Sequence, residues 1–376
     1  MNHEIRCAGW LTCLALAVLA ASAPLPFAHA DPGASTAKTA RSSPRAERQE
    51  AGLLPEFTRA LRFPGGEGAL TLHAWSRLAP SARPVTIASS ADGKDQRAFF
   101  YDPGTQAPKP LLVVLHSWST DWRQNIGIPY AVFAERNGWV FVHPDFRGPY
   151  RRPEAAASDL VAQDIIDAVE YAKQHAHVDA SRIYLAGFSG GGMTALAMAG
   201  RRPDLWAGVV AWAPIHDIPD WYQYNASRFP RRHYASNIAA VCGGAPRPGT
   251  AAFRECHERS PSALLERARR AAVPVYIGCG LGDDIVPPEH ALRAFNQMAD
   301  PGGQLPEGAL RRLAAAAANL PHASAQAFAR AGARLRLEQA SGSAVLALFE
   351  GAHDIVYEPG LVWLSAQRRP SRKGRD

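Results

Sequence analysis

Continuously apolar runs recur along this chain, and each is closed by a polar or glycine-rich turn. Residues 111–115 read Leu111-Leu112-Val113-Val114-Leu115 between Pro110 and His116, with no polar position to face water. Such a run suits a strand covered on both faces of a parallel sheet. Residues 139–142, 182–186, 207–212, 273–278 and 344–349 repeat the pattern. Helical spacing appears between them. In 159–174 the apolar positions are Leu160, Ile165, Ile166, Val169, Tyr171 and Ala172, and 131–136 and 288–298 also read as helices. Residues 84–101 differ, because two short β-type runs flank Asp92-Gly93-Lys94 and predict a hairpin. Strands alternating with helices predict an α/β fold with a mostly parallel central sheet flanked by helices.

Two stretches break the alternation. Residues 215–272 hold Trp221, Tyr222, Tyr224, Phe229 and Tyr234, and are expected to form a lid-like insertion or substrate wall. Residues 300–340 are alanine-rich and are expected to be a helical excursion. At the start, Arg6 precedes an apolar run over 10–23, and Ala28-His29-Ala30 places small residues where a leader is cleaved. The run is too short for a membrane span. The expectation is therefore a signal peptide over 1–30 and a periplasmic or secreted protein without stable membrane insertion after cleavage. Residues 31–52 have the composition of a disordered linker, 53–368 form the folded domain, and 369–376 are a basic tail.

Composition changes this picture little. The 376 residues are 47% hydrophobic with a net charge of +7, enough for one large domain with insertions. The excess charge is spread over separate arginine pairs such as Arg151-Arg152 and Arg311-Arg312, so no nucleic-acid partner is expected. After cleavage Cys242, Cys256 and Cys279 remain. In an oxidising compartment Cys242 and Cys256, close in sequence, are expected to pair, with Cys279 a buried thiol ending a strand. Around Cys256 only His257 could join a metal set, so no metal site is expected.

The chemistry concentrates on Gly187-Phe188-Ser189-Gly190-Gly191, which follows a strand and opens a helical run. That context makes G-x-S-x-G a nucleophile elbow. The serine must sit on a sharp turn, and the glycines supply the missing Cβ atoms. A serine hydroxyl needs a base, and the base needs an orienting carboxylate. In such folds the chain order is serine, acid, histidine. Asp283-Asp284 follows the run ending at Gly278, and His353 follows the last strand. His353 is the candidate base, and Asp283 or Asp284 the orienting acid. Asp217 and, less favourably placed, Asp145 are rivals. The oxyanion site needs two backbone N–H groups, expected from Gly190 and from Trp118 in the turn after residues 111–115. Trp221, Tyr222 and Tyr224 are expected to line the substrate site.

From 111 to about 288, together with Gly351-Ala352-His353, the chain resembles the α/β-hydrolase superfamily, and most of all the catalytic domain of the prolyl-oligopeptidase family and its esterase relatives. The matching residues are 178–183 leading into 187–191, and Asp283-Asp284-Ile285-Val286-Pro287. The resemblance implies an α/β-hydrolase fold and favours Asp283 as the acid. Two departures stand out: His116-Ser117 replaces the usual His-Gly of the oxyanion turn, and no propeller is read before the domain. The second shifts the expectation from peptidase toward hydrolysis of a small-molecule or polymeric carboxylic ester, with no cofactor. A serine peptidase for short peptides is the alternative, and a catalytically silent binding protein is a third reading.

Overall fold

The computed structural model describes residues 57–62, 66, 68–229, 232–306, 308–310 and 320–370. The expected signal peptide, the linker over 31–52 and residues 371–376 of the basic tail lie outside the described residues.

The apolar runs form a nine-stranded sheet ordered β1-β2-β4-β3-β5-β6-β7-β9-β8. In chain order these are β1 Arg83–Ala88, β2 Asp95–Tyr101, β3 Lys109–Leu115, β4 Val140–Pro144, β5 Val178–Phe188, β6 Gly208–Trp212, β7 Val275–Gly280, β8 Arg334–Ser341 and β9 Ala344–Glu350. From β4 across to β9 the neighbours run parallel. The predicted hairpin, β1 and β2, adds antiparallel pairs at one edge.

Eleven helices among the described residues are labelled in chain order: α1 Leu72–Leu78, α2 Gly127–Asn137, α3 Asp159–His175, α4 Gly190–Arg201, α5 Ile218–Arg228, α6 Tyr234–Cys242, α7 Ala251–Arg259, α8 Pro261–Arg270, α9 Pro288–Met298, α10 His322–Arg330 and α11 Tyr357–Ser365. Successive strand side chains alternate between the faces. Leu111, Val113 and Leu115 therefore join one core cluster, which also holds Val161 and Ile165 of α3, Leu196 of α4, Leu265 of α8 and Phe295 of α9. Leu112 and Val114 face the other way and belong to the second core cluster, with Trp75 of α1, Tyr130 of α2, Phe328 of α10 and Leu361 of α11. Each such buried side chain contributes roughly 1.5–3 kcal/mol of transfer free energy, which explains why β3 tolerates no polar position.

Two expectations need correction. The stretch 300–340 is not a helical excursion throughout: its end is the edge strand β8, antiparallel to β9. Leu335 and Leu337 alternate with polar residues there, and Gly342 at φ +58° turns the chain back into β9. Residues 307 and 311–319 lie outside the described residues. The insertion over 215–272 is also shorter than expected. Its last helix, α8, is the crossover helix packed on α4, where a Cβ on Gly200 would strike the Leu264 carbonyl. Among the described residues of that stretch, α5, α6 and α7 stand outside the alternation, and the Cys242–Cys256 disulfide joins α6 to α7.

Strand order selects the functional end. The chain leaves β3 through α2 on one face to β4, then returns through α3 on the other face to β5, on the opposite side of β3. The order reverses between β3 and β5, and the crevice at such a switch lies outside their carboxyl ends. Those ends lead into Trp118 and Ser189.

Candidate active site

Ser189 sits between β5 and α4 at φ +56°, ψ −117°, a conformation that costs a non-glycine residue about 1–3 kcal/mol. Its surroundings hold it there. Its N–H donates to the Trp212 carbonyl at 2.8 Å, and its carbonyl accepts from Met193 N–H at 2.8 Å. A Cβ on Gly187 would overlap the Gly191 carbonyl, so the turn closes only over a glycine. A Cβ on Gly190 would lie 2.7 Å from the Trp118 nitrogen, so the turn after β3 packs directly on the first residue of α4. The N–H of that residue opens the helix and has no intrahelical acceptor. The two expected oxyanion donors, Trp118 and Gly190, are thereby neighbours.

The candidate acid and base come from parallel neighbours. Gly280 of β7 pairs with Phe349 of β9, and Gly282 N–H donates to the Gly351 carbonyl at 2.8 Å. The loops carrying Asp283 and His353 therefore run side by side. Asp283 Oδ2 lies 2.7 Å from His353 Nδ1, and its Oδ1 accepts from the N–H groups of Ile285 and Val286, each at 2.9 Å. The Asp283 side chain is fully buried. The carboxylate can only accept, so the hydrogen-bond network assigns a proton to Nδ1 and leaves the Nε2 lone pair free. The imidazole rests against Phe188, the residue before Ser189, with ring centroids 4.5 Å apart.

Asp284 points away. Its side chain is 63% exposed and pairs with Arg232 at 2.8 Å. Asp217 instead caps α5, accepting from Asp220 N–H at 2.9 Å and from the Ser262 hydroxyl at 2.7 Å. Asp145 is spent on the turn after β3: its Oδ1 accepts from Trp122 N–H at 3.2 Å, and its carbonyl faces His116 Nε2 at 2.6 Å.

One residue of this end carries no signal in the chain pattern. Tyr150 N–H donates to the Trp118 carbonyl at 2.8 Å. The Tyr150 hydroxyl lies 2.7 Å from Thr194 Oγ1, which donates to the Gly190 carbonyl at 3.0 Å. Tyr150 thus ties the Trp118 turn to the first turn of α4. Burial pushes its phenol well above the ordinary value, so it remains protonated.

The three expected substrate-lining aromatics divide. Trp221 is fully buried, edge-on to Trp118 with centroids 4.9 Å apart, and its indole N–H donates to the Ile285 carbonyl at 2.8 Å. The Tyr224 hydroxyl donates to the Asp284 carbonyl at 2.8 Å. Both tie α5 to the loop that carries Asp283. Tyr222 is partly buried and packs on the core. Among the described residues no group of three His, Cys, Asp or Glu is placed to hold a metal ion.

Comparison with known proteins adds family context. A family model described as Prolyl oligopeptidase family matches residues 130–307. Acetylxylan esterase A of Emericella nidulans is 29% identical over 128 residues, 31% of this chain and 41% of that protein. Acylamino-acid-releasing enzyme 2 of Oryza sativa subsp. japonica is 23% identical over 253 residues, 63% of this chain and 31% of that protein. The chain thus spans less than half the length of either relative. A solved thermostable esterase aligns at 13% identity with a TM-score of 0.46, over 78% of this chain and 64% of that one. The chain has an α/β fold with a nine-stranded, mostly parallel sheet and resembles the prolyl oligopeptidase family, whose model it matches over residues 130–307.

Proposed function

We propose that this protein is an exported serine hydrolase that cleaves carboxylic esters through an acyl-enzyme on Ser189. The observation that carries the reading is the buried Asp283–His353 bond of 2.7 Å, whose imidazole rests against Phe188, the residue before a serine at φ +56°. His353 Nε2 takes the hydroxyl proton as Ser189 Oγ attacks the ester carbon. The carbonyl electron pair moves onto oxygen, where the N–H groups of Trp118 and Gly190 receive it. The C–O bond to the alcohol then breaks, and His353 returns the proton to the leaving oxygen. A water molecule repeats the sequence on the acyl-enzyme and frees Ser189. Asp283 holds the imidazole and stabilises its charged form without itself taking the proton.

Ester over amide is favoured by relatives named as acetylxylan esterases and a feruloyl esterase. Trp221, Tyr222 and Tyr224 belong to the substrate end in this reading, the first and last by fixing the acid loop. Export is supported by the Cys242–Cys256 disulfide and by the leader pattern over 1–30. A second reading, a peptidase for short peptides, draws on the family match and on the acylamino-acid-releasing relative.

The deciding measurement is kcat/KM on p-nitrophenyl esters against p-nitroanilide peptides. Esters are expected to be cleaved much faster, and a preference for the anilides would establish the peptidase. Ser189→Ala should lower kcat by about 10⁴-fold or more and abolish labelling by a fluorophosphonate. Near-wild-type turnover in that variant would remove Ser189 from the mechanism.

A further inference from the structure

A cavity lies between α5 and α9, beside the loop that carries Asp283. Its volume is about 410 Å³, within the range of small-ligand sites. Helix α5 shows why it is polar. Ile218, Trp221 and Asn225 form its buried stripe, whereas Gln223, Tyr224, Ser227 and Arg228, which stand three, four, seven and eight residues after Asp220, share the cavity side with it. From α9 come Glu289, His290 and Arg293.

His290 distinguishes this cleft from an ordinary solvated face. Its side chain is only 2% exposed. The His216 backbone N–H donates to His290 Nδ1 at 3.2 Å, so Nδ1 carries the lone pair. Burial lowers the His290 pKa to about 4, so the ring is neutral at pH 7 and its single proton sits on Nε2. That N–H lies 3.6 Å from Asp220 Oδ2, beyond direct hydrogen bonding. A hydroxyl resting on the cavity side of the pair, off the line that joins them, would accept from Nε2–H and donate to Oδ2. Asp220 Oδ2 is held for this by Arg293 Nη1 at 2.6 Å.

Charge selects the kind of ligand. Asp220 and Glu289 are offset by Arg228 and Arg293, and His290 is neutral, so the lining has no net charge to attract an ion. Its donors and acceptors are mixed, and the Tyr224 ring adds an aromatic plane. We propose that the cleft between α5 and α9 binds a neutral saccharide, one of whose hydroxyls bridges His290 and Asp220. Its purpose rests on the ester-hydrolase reading: it would hold the alcohol part of a sugar ester beside the Asp283 loop, to which the Tyr224–Asp284 bond of 2.8 Å links it. The binding itself needs no turnover.

The test is calorimetric titration of the full-length Ser189→Ala chain with xylotetraose, a neutral oligosaccharide, and separately with inorganic phosphate. Xylotetraose is expected to bind and phosphate not to. Asp220→Ala should weaken xylotetraose binding about tenfold, and Gln223→Ala should weaken it in the same direction. Melting curves establish that each variant is folded, and if Asp220→Ala is not, Gln223→Ala decides. Absence of xylotetraose binding at about 10 mM, equal affinity in the folded variants, or tighter binding of phosphate would overturn the proposal. A wild-type chain inactive on p-nitrophenyl acetate would overturn the ester reading while leaving the calorimetry to judge the cleft.

Discussion

Two adjacent carboxylates show how much one residue's direction matters. Asp283 is buried against His353 and Asp284 is 63% exposed, because the Asp283 Oδ1 bonds to Ile285 and Val286 fix the loop with only its side chain facing inward. Asp283→Asn should therefore lower kcat by about 10⁴-fold, since an amide no longer favours the Nδ1–H tautomer. Asp284→Ala should stay within a few-fold of wild type, because it loses only an exposed ion pair. Steady-state kinetics on one ester compares them, and the reverse ranking would exchange their roles. Tyr150 acts through others. Tyr150→Phe removes only the hydroxyl that reaches Thr194, loosening Trp118 against Gly190. The expected effect is a fall in kcat of roughly tenfold with KM unchanged, since misplaced donors cost the transition state and not substrate binding. An increase confined to KM would refute the positioning role.

At the scale of elements, the acid loop depends on the excursion over α5–α7. Trp221 and Tyr224 of α5 bond the carbonyls of Ile285 and Asp284, and Trp221 in turn packs on Tyr234 of α6, with centroids 4.8 Å apart. The disulfide from Cys242 to Cys256 closes a loop of sequence separation 14 between α6 and α7. Closing such a loop is worth about 3 kcal/mol in the chain-entropy treatment. A Cys242→Ser, Cys256→Ser double variant should melt several degrees lower, with Cys279 left as a buried thiol whose pKa burial keeps high. An unchanged melting temperature would show that the three helices hold without the bridge.

For the whole molecule, the buried histidines make stability depend on pH. Burial lowers His143 to a pKa of about 3 and His290 to about 4. His143 already spends Nδ1 on the Val114 carbonyl at 2.7 Å, and its Nε2 is buried without a partner. Protonation would therefore bury a charge. Below a pH of about 6.5 the unfolded chain binds protons that the folded one refuses, so stability is full above that pH and falls with acidification. The loss runs at about 1.4 kcal/mol per pH unit for each histidine, down to its folded pKa. Buried Asp145, Asp164 and Asp354, whose pKa values burial raises, work in the opposite direction and offset part of it. His143→Asn keeps a donor for Val114 and cannot titrate. Chemical denaturation between pH 6 and 4 should show a flatter slope for this variant. An unchanged slope would mean that His143 takes its proton in the folded state.

The chain by itself determined what local demands encode. A strand buried on both faces excludes polar residues, so the runs at 111–115, 207–212 and 273–278 announced β3, β6 and β7. A serine at positive φ between crowded backbones demands glycines on both sides, so Gly187 and Gly190 marked the turn. Tertiary structure alone decided what depends on distant partners. The weak alternation of Leu335 and Leu337 became β8 only by pairing with β9. Trp221 finds Ile285 across 64 residues, and buried Arg147 finds Asp92 across 55. No local pattern specifies such partners, because their hydrogen bonds exist only after the sheet has folded and excluded water from around them.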